Sequence, residues 1–301
     1  MITGAVIVTY NAKISDLTIL ITNIIATVKQ VVLVDNGSSN LLEIETFAAQ
    51  FKQVKVIVLG TNKGIGYAQN RGIEYIFSDK EITGVILFDH DSHPEPDMIS
   101  ILASEYDRLI ASNIKVGALG PIFMDPRTKN NYPISVFSGF SLQKKYPVDG
   151  DFNPIPASFL IASGSLISRI TIDKVGLMNE DFFIDYIDIE WSFRAKHLGF
   201  DSYACPNAKM YHQVGDSRMK VMGREISIHS PIRRYYLARN SIFMLKIKYI
   251  NWMYKVREVF YSLSRVVIFV IVVNKRITYL KYIFKGWYDG LTGKMGKFEN
   301  R

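Results

Sequence analysis

Residues 85–92 read Val-Ile-Leu-Phe-Asp-His-Asp-Ser, four apolar residues that run directly into a polar turn with two carboxylates. A short, continuous apolar run that ends in a turn is typical of a strand buried on both faces of a sheet. Three other runs in the first half have the same character: residues 5–9, 31–34 and 54–59. The segments between the runs, such as residues 17–29 and 65–77, carry apolar residues at helical spacing. This alternation predicts an α/β fold with a mostly parallel central sheet.

Each predicted strand is followed by a polar or glycine-containing turn. The turns occupy residues 10–11, 35–39, 60–64 and 89–92. In an open α/β sheet, ligands bind in the crevice beyond the carboxyl ends of the strands. Because the turns follow the strands at that end, we expect them to line one crevice.

The composition of the chain is that of a globular protein. It has 301 residues, of which 48% are apolar, and a formal net charge of +8. These values exclude a disordered chain, which has low hydrophobicity, and a collagen-like chain, which is dominated by glycine and proline. The single cysteine, Cys205, excludes an intramolecular disulfide and a zinc site built from several cysteines.

The positive charge is concentrated at the end of the chain. Residues 230–301 contain 15 Lys and Arg but only 3 Asp and Glu, a net charge of +12 that leaves −4 for residues 1–229. We therefore divide the chain into residues 1–229, which contain the predicted sheet, and a helical, basic region of residues 230–301. The longest apolar run, residues 266–273, is too short for a membrane-spanning helix of about 20 residues. The N-terminus lacks the pattern of a signal peptide.

Two acidic motifs are candidates for chemistry. Asp89 and Asp91 follow a strand and can hold Mg²⁺ or Mn²⁺ together with a substrate phosphate, although a solvated turn has the same composition. Residues 185–191 read Asp-Tyr-Ile-Asp-Ile-Glu-Trp, and one of these carboxylates can act as a general base. Apolar and aromatic neighbours would desolvate that base and make it more basic. The alternative is that these acids lie in the first turn of a helix, where the helix dipole stabilises them.

Two further motifs carry weaker signals. A lone histidine is more often structural than a metal ligand, so His212 becomes a candidate ligand only if it meets the two aspartates in space. Residues 62–70 contain Gly64 and Gly66 but lack the third glycine of a dinucleotide fingerprint, and they follow the third strand instead of the first. We therefore expect a tight turn whose backbone lies near a nucleotide or a phosphate.

Together these motifs resemble family 2 glycosyltransferases, whose GT-A fold is an α/β, Rossmann-like arrangement. The resemblance extends over roughly residues 3–215. Its elements are residues 8–11, 34–39, 62–70, 89–92, 163–164 and 182–195. It implies transfer of a sugar from a nucleotide sugar with inversion at the anomeric carbon, and Mg²⁺ or Mn²⁺ as the cofactor.

The resemblance also implies a role for each matched residue. Seven residues match positions that hold the nucleotide sugar: Thr9, Asn11, Asp35, Asn62, Asn70, Asp89 and Arg239. Three match the metal ligands: Asp89, Asp91 and His212. Three match the acceptor side: Gly164, Glu190, which either orients the acceptor or supports its helix, and Trp191. Asp188 matches the general base that removes a proton from the acceptor hydroxyl.

A narrower resemblance is to bacterial rhamnosyltransferases. Residues 88–92 resemble their Phe-Asp-Gln-Asp-Ser, with His90 in place of Gln. Residues 233–240 resemble their Arg-x-Tyr-Tyr-x-x-Arg-Asn, and residues 285–291 resemble Lys-Gly-x-x-Asp-Gly-Leu. This implies dTDP-rhamnose as the donor and a saccharide on a polyprenyl diphosphate as the acceptor, in the synthesis of a bacterial surface polysaccharide such as O-antigen or capsule. UDP-galactofuranose, UDP-galactose and UDP-N-acetylglucosamine are the alternative donors.

The basic end of the chain has three interpretations. Lys and Arg interleaved with aromatic residues favour contact with an anionic membrane, which would hold a cytoplasmic enzyme on the inner face of the bacterial cell membrane. The second interpretation is a helical tail that packs on the body and leaves its charges solvated. The third is nucleic-acid binding, against which stand the acidic body and the lack of a recognition motif.

Overall fold

The computed structural model describes residues 1–148, 150, 152–211, 218–221, 224–227, 230–273 and 275–299. The strands in these residues are β1 (Thr3–Thr9), β2 (Gln30–Asp35), β3 (Val54–Val58), β4 (Gly84–Asp89), β5 (His93–Pro94), β6 (Val116–Met124), β7 (Ile134–Ser138), β8 (Ser141–Lys145), β9 (Ile155–Ala157), β10 (Leu166–Ser168), β11 (Asp201–Tyr211), β12 (Arg218–Val221) and β13 (Arg224–Ser227). The helices are α1 (Ile14–Ile24), α2 (Leu41–Ala48), α3 (Ile65–Ile76), α4 (Met98–Ala111), α5 (Arg169–Val175), α6 (Ile187–His197), α7 (Pro231–Lys246), α8 (Trp252–Val272) and α9 (Arg276–Thr292). A 3-10 turn, Glu180–Phe182, precedes α6.

Nine of the described strands form one central sheet. Its order is β3-β2-β1-β4-β10-β6-β11-β5, and β9 pairs with β11 outside this path. β1 pairs in parallel with β2 and β4, and β2 pairs in parallel with β3. β10 is antiparallel between β4 and β6, and β6 is parallel to β11. The prediction of an α/β fold with a mostly parallel sheet is confirmed.

The register of the sheet brings the carboxyl ends of β1, β2 and β4 to one edge. Thr9 pairs with Asp35, and Val8 pairs with Asp89. The three strands therefore end side by side, and each continues into its polar turn. The crevice expected from the sequence lies at this edge.

Helices cover both faces of the sheet because its central strands carry apolar side chains on both sides. All seven residues of β1 are buried. Ala5 and Ile7 pack in a cluster with side chains of α1, α2 and α4, and Val6 and Val8 pack in a second cluster with side chains of α3. Truncating one such buried isoleucine to alanine costs about 2–5 kcal/mol, so these two layers dominate the stability of the sheet.

α3 approaches the sheet most closely at Gly72. A Cβ atom at this position would overlap Val6 and lie 3.1 Å from Cγ2 of Val34. Only glycine permits this distance without displacing a buried strand. Because α3 begins at Ile65, the close contact fixes the turn of residues 60–64 at the crevice.

The second half of the chain adds a hairpin and three long helices. β7 and β8 form an antiparallel hairpin within residues 125–156, one of the two alternatives predicted for that segment. α9 packs against α7 through its glycines, and a Cβ atom at Gly290 would lie 2.7 Å from the carbonyl oxygen of Arg239. α8 contributes Tyr254, whose ring contacts Phe137 and Phe193. No helix in the described part of the chain is long and apolar enough to cross a membrane.

Candidate active site

The turns after β1 and β2 are hydrogen-bonded into one unit. Asp35 is fully buried, and its carboxylate accepts the Thr9 hydroxyl at 3.1 Å and two backbone N–H groups of its own turn at 3.0 Å. Asn11 is exposed, and its side-chain oxygen accepts the N–H of Ser39 at 2.8 Å and its hydroxyl at 3.0 Å. The structure therefore brings three of the predicted nucleotide-binding residues together. Asp35 shapes the turn from below, and Asn11 lies at its surface.

The turn before α3 joins this unit through two asparagines. The side-chain oxygen of Asn62 accepts the side-chain amide of Asn36 at 3.3 Å and the N–H of Gly64 at 3.0 Å. Gly64 has a φ of +96°, and a Cβ atom there would lie 2.9 Å from Cα of Phe183. The N–H of Ile65 donates to the carbonyl of Phe183 at 2.8 Å. The glycine thus permits close contact between this turn and the segment that precedes α6.

The two carboxylates after β4 lie on a turn that buried serines hold. The hydroxyls of Ser92 and Ser163 are 2.5 Å apart, and the Ser163 oxygen also accepts the N–H of Asp89 at 3.2 Å. Asp89 is half-buried and Asp91 is exposed. Gly164 donates its N–H to the backbone of β4 at 2.7 Å. The residue predicted on the acceptor side therefore borders the turn of residues 89–92, which we call the carboxylate turn.

The carboxylate turn fits a divalent cation by the chemistry of its oxygens. Mg²⁺ and Mn²⁺ bind a few carboxylates and fill the other positions with water and substrate phosphates. Within the residues that the structure describes, no group of three His, Cys, Asp or Glu side chains could hold a metal ion by itself. The third predicted ligand, His212, lies outside the described residues. It follows Tyr211, which pairs with His93, two residues after Asp91.

Asp188 is a half-buried carboxyl with a strongly altered acidity. Burial, and to a lesser extent the negative charges of Asp185 and Asp89, raise the pKa of Asp188 to about 6, although the N–H of Ile189 donates to its carboxylate at 2.9 Å. The segment that leads to Asp188 lies at the crevice, because Phe183 contacts Gly64 and its carbonyl accepts the N–H of Ile65 at 2.8 Å. A carboxylate with a pKa near 6 is a better base at neutral pH than an ordinary aspartate.

The chain follows an unusual path just before Asp188. Phe183, Asp185 and Tyr186 have φ angles of +64°, +62° and +67°. Such left-handed conformations cost residues other than glycine about 1–3 kcal/mol each, and they persist only where the surrounding structure imposes them. We call residues 183–188 the base turn, because they lead the chain into α6 and end at Asp188.

α7 holds the base turn from the C-terminal region. The side-chain nitrogen of Asn240, which is fully buried, donates to the carbonyls of Phe182, Ile184 and Asp185 at 3.0, 2.8 and 3.2 Å. Arg233 donates to both carboxylate oxygens of Asp185 at 3.2 and 3.0 Å. The bonds of Asn240 satisfy backbone carbonyls on this left-handed path, and those of Arg233 hold the side chain of Asp185.

A second support reaches the base turn from α8. The Tyr186 hydroxyl donates to the carboxylate of Glu258, and both side chains are buried. Burial and the charge of Glu258 raise the pKa of Tyr186 well above its ordinary value, so the phenol remains a hydrogen-bond donor. Sequence reasoning did not identify Asn240 or Glu258 as site residues. The available signal was Glu258 itself, one of three acids in the basic region of residues 230–301.

The prediction that Arg239 holds the nucleotide sugar needs correction. Arg239 is fully buried, and its guanidinium donates to the carbonyls of Asp181, Phe182 and Gly296 and to the side-chain oxygen of Asn240. All three nitrogens of the guanidinium are thus bonded to the protein interior. Its role in this structure is to join α7 to the segment before the base turn.

Glu190 and Trp191 are also used inside the protein. Glu190 is 1% exposed, pairs with Arg194 at 2.9 Å and accepts the Tyr249 hydroxyl. The indole N–H of Trp191 donates to the carbonyl of Gly176 at 2.9 Å. Of the two roles predicted for Glu190, the geometry favours support of the helix, and it places Trp191 in the same packing layer.

Asn70 likewise serves packing. Its side-chain amide donates to the carbonyl of Met178 at 2.9 Å, and its side-chain oxygen accepts the N–H of the same residue at 2.9 Å. A further bond at 2.7 Å joins it to Glu180. Asn70 therefore anchors the segment that leads to the base turn. Asn62 is the asparagine of this motif that lies with the turns after β1, β2 and β3, which we call the nucleotide-side turns.

We expect Asn240→Ala to lower the free energy of unfolding by about 2–4 kcal/mol, because it leaves buried carbonyls without donors. Urea denaturation followed by circular dichroism measures the change. Asn207→Ala removes an exposed asparagine and serves as the matched control, with an expected change within about 0.5 kcal/mol. Equal stability of the two variants would contradict the supporting role of Asn240.

We expect Asp188→Asn to change how stability depends on pH. The folded-state pKa of Asp188 lies above its unfolded value, so the folded protein binds the proton more tightly and loses stability as the pH rises from about 4 to about 6. Asparagine does not titrate, and the variant should therefore gain up to about 3 kcal/mol over the wild type at pH 7 and nothing at pH 4. A gain that is independent of pH would contradict the raised pKa.

Comparison with known sequences identifies relatives over the whole chain. The model of the family described as Glycosyl transferase family 2 matches residues 5–176, more than half of the chain. The chain is 35% identical to the dTDP-rhamnosyl transferase RfbF of Shigella flexneri over 292 residues, 97% of this chain and 96% of the relative. It is 24% identical to the low-salt glycan biosynthesis hexosyltransferase Agl10 of Haloferax volcanii over 281 residues, 91% of this chain and 87% of the relative.

Two solved structures share the fold. TarS of S. aureus (residues 1–349) matches 96% of this chain and 81% of its own with a TM-score of 0.59 at 15% identity. GalNAc-T7, solved with UDP, GalNAc and Mn²⁺, matches 98% of this chain with a TM-score of 0.57 at 13% identity, and the chain spans 58% of its length. The expected GT-A fold with a helical C-terminal region is confirmed. By its family match and its full-length relative, the chain belongs to glycosyltransferase family 2.

Proposed function

We propose that this glycosyltransferase is an inverting, metal-dependent rhamnosyltransferase that uses dTDP-rhamnose. The donor is supported by 35% identity, over nearly the whole chain, with a dTDP-rhamnosyl transferase. The reaction type rests on one observation: the half-buried Asp188, whose pKa is raised, ends a turn that contacts Gly64 at the crevice. A base at the crevice that receives the nucleotide is the arrangement that activation of a hydroxyl next to a nucleotide diphosphate requires.

The donor nucleotide binds along the turns at the edge of the sheet. Thr9 and Asp35 lie buried beneath this surface, and Asn11 and Asn62 supply polar groups above them. Asp89, at the end of the neighbouring strand, is within reach of the ribose or of a cation on the diphosphate. Since Arg239 is bonded inside the protein, this proposal assigns it no contact with the donor.

A divalent cation, Mg²⁺ or Mn²⁺, binds at the carboxylate turn. Asp89 and Asp91 supply carboxylate oxygens, and His212 is the third ligand in this proposal. When bound, the ion neutralises the diphosphate and makes the nucleotide a better leaving group. The exposure of Asp91 suits a site that substrate phosphates and water complete.

Asp188 acts as the general base. Its ionised carboxylate accepts the proton of the acceptor hydroxyl while that oxygen attacks the anomeric carbon. The bond between this carbon and the diphosphate oxygen breaks on the opposite face, so the configuration inverts. Base catalysis of this kind contributes roughly 10²–10⁴-fold to the rate.

The acceptor is a saccharide carried on a polyprenyl diphosphate, in the synthesis of a bacterial surface polysaccharide such as O-antigen or capsule. Gly164, beside the carboxylate turn, lies on the acceptor side. An acceptor of this kind places the enzyme on the inner face of the cell membrane, as a peripheral protein of the cytoplasm. Residues 1–229 then carry the catalytic groups, and residues 230–301 carry the membrane contact.

A donor screen by nucleotide release tests this function. We expect turnover with dTDP-rhamnose in the presence of Mn²⁺ or Mg²⁺ and a rhamnose-accepting saccharide. UDP-galactofuranose, UDP-galactose and UDP-N-acetylglucosamine serve as the competing donors. Turnover with one of these and none with dTDP-rhamnose would replace the donor and leave the family assignment intact. The same assay with EDTA should show no release, and undiminished release would refute the metal dependence.

We expect Asp188→Asn to reduce kcat by about 10²–10⁴-fold and to leave the Kd of the donor unchanged. Because the base works in its ionised form, kcat of the wild type should fall as the pH decreases below about 6. The variant should lack this limb of the profile. Asp173→Asn, an exposed change on α5, is the matched control and should behave as the wild type. Near-normal kcat in Asp188→Asn would disprove the assignment.

A further inference from the structure

One face of α8 exposes a continuous stripe of apolar side chains. Apart from the adjacent pair Val259 and Phe260, its members recur at intervals of three or four residues, and each is between 36% and 74% exposed: Trp252, Val256, Val259, Phe260, Leu263, Val267 and Ile271. At 1.5 Å per residue the stripe extends for about 30 Å. Exposed apolar patches of this size mark sites of contact with proteins or membranes.

α9 carries a second stripe of the same kind. Its exposed members are Ile277, Phe284, Tyr288 and Leu291, which are between 54% and 69% exposed. Their spacing of seven, four and three residues also keeps them on one face of the helix.

The two stripes form one surface. α8 and α9 run antiparallel, since Phe269 contacts Tyr279 and Ser262 accepts the indole N–H of Trp287. At 3.6 residues per turn, the centre of each stripe is rotated about its helix axis by about a third of a turn from these contact residues. The rotation is in the direction in which the chain advances, and it is the same for both helices. Two antiparallel helices in contact are related by a two-fold axis perpendicular to both. Because the two stripes are rotated equally from the contact between the helices, both stripes face the same side of the pair. We call this surface the α8–α9 face.

The rest of α8 is fixed, so the helix cannot turn its stripe inward. Tyr254 and Phe269, on the opposite side of the helix, are 3% and 2% exposed. Glu258, on that side as well, holds Tyr186 of the base turn. Burying the stripe by rotating α8 would break these contacts.

The charges around the α8–α9 face are of one sign. α8 and α9 contain two carboxylates, Glu258 and Asp289, and both are buried. Asp289 accepts the Tyr235 hydroxyl and pairs with Lys285, each at 2.9 Å. The exposed charged side chains of these helices are the cations Arg276 and Lys281, and Lys275, directly before α9, is also exposed. The surface therefore combines apolar side chains with positive charge and presents no carboxylate among its described residues.

We propose that the α8–α9 face docks on an anionic lipid monolayer, with its apolar stripes among the acyl chains and its cations at the headgroups. An anionic lipid monolayer complements both features of this face: its acyl chains accept the apolar side chains, and its negative headgroups attract the cations. A second copy of the chain would bring like cations together, which opposes association. The inference rests on the proposed lipid-linked acceptor for its purpose, because docking would hold the enzyme at the membrane in which that acceptor lies.

Vesicle flotation of the full chain tests the proposal. The probes are vesicles of phosphatidylethanolamine with phosphatidylglycerol and, for comparison, vesicles of phosphatidylcholine. We expect the wild type to float with the anionic vesicles, and Phe260→Asp with Val267→Asp to weaken binding at least about tenfold. Leu42→Asp, at a site on α2 that is 76% exposed, is the matched control and should float as the wild type. Thermal melts check that all variants remain folded.

Three results would overturn the proposal. Equal flotation of the double variant and the wild type would exclude insertion of the stripe. Flotation that vanishes at about 0.5 M NaCl and is indifferent to the double variant would reduce the contact to charge alone. A dimer that the double variant dissociates, with no flotation, would assign the face to a second copy. Turnover of dTDP-rhamnose without vesicles is measured separately, so loss of the proposed donor and loss of lipid binding are distinguishable.

Discussion

The hydrogen bonds of Asn240 to the carbonyls of Phe182, Ile184 and Asp185 are the constraint on which the candidate active site depends. The base turn contains three left-handed residues, and the carbonyls of Ile184 and Asp185, which precede α6, accept the side chain of Asn240. A buried carbonyl without a donor costs about 1–3 kcal/mol, and an unsupported turn of this kind would relax. A neutral amide satisfies these carbonyls without adding a positive charge beside Asp188, which would lower the pKa of the base.

Arg233 acts on the same turn through its charge. It forms a two-pronged pair with Asp185, one of the carboxylates whose charge raises the pKa of Asp188. An unpaired Asp185 would repel the ionised base more strongly. The base thus stays between two extremes, more basic than a solvated aspartate and still ionised at neutral pH.

The sequence predicts the parts of this site that local patterns encode. Apolar runs and the turns that follow them locate β1, β2 and β4, and the motifs of residues 89–91 and 185–191 locate the carboxylates. Local patterns do not predict whether a polar side chain on a helix faces inward or outward, because that depends on which face of the helix packs against the rest of the protein. α7 carries arginines and tyrosines on almost every side, so its pattern does not reveal that Arg239 faces inward. α6 likewise mixes charged and aromatic residues, and the burial of Glu190 is equally hidden in its sequence.

The parts of the site come from separate stretches of the chain. The nucleotide-side turns and the two carboxylates lie within residues 9–91, whereas the side chains that hold the base turn lie within residues 233–258. The contact of Gly64 with Phe183 is where the first stretch meets the base turn. Changes in the C-terminal helices can therefore alter how an acceptor is presented and activated while the nucleotide-side turns stay intact. Under the proposed function, the residues for donor recognition and those that support the base are encoded in separate stretches of the chain, so a substitution in one stretch can leave the other unchanged.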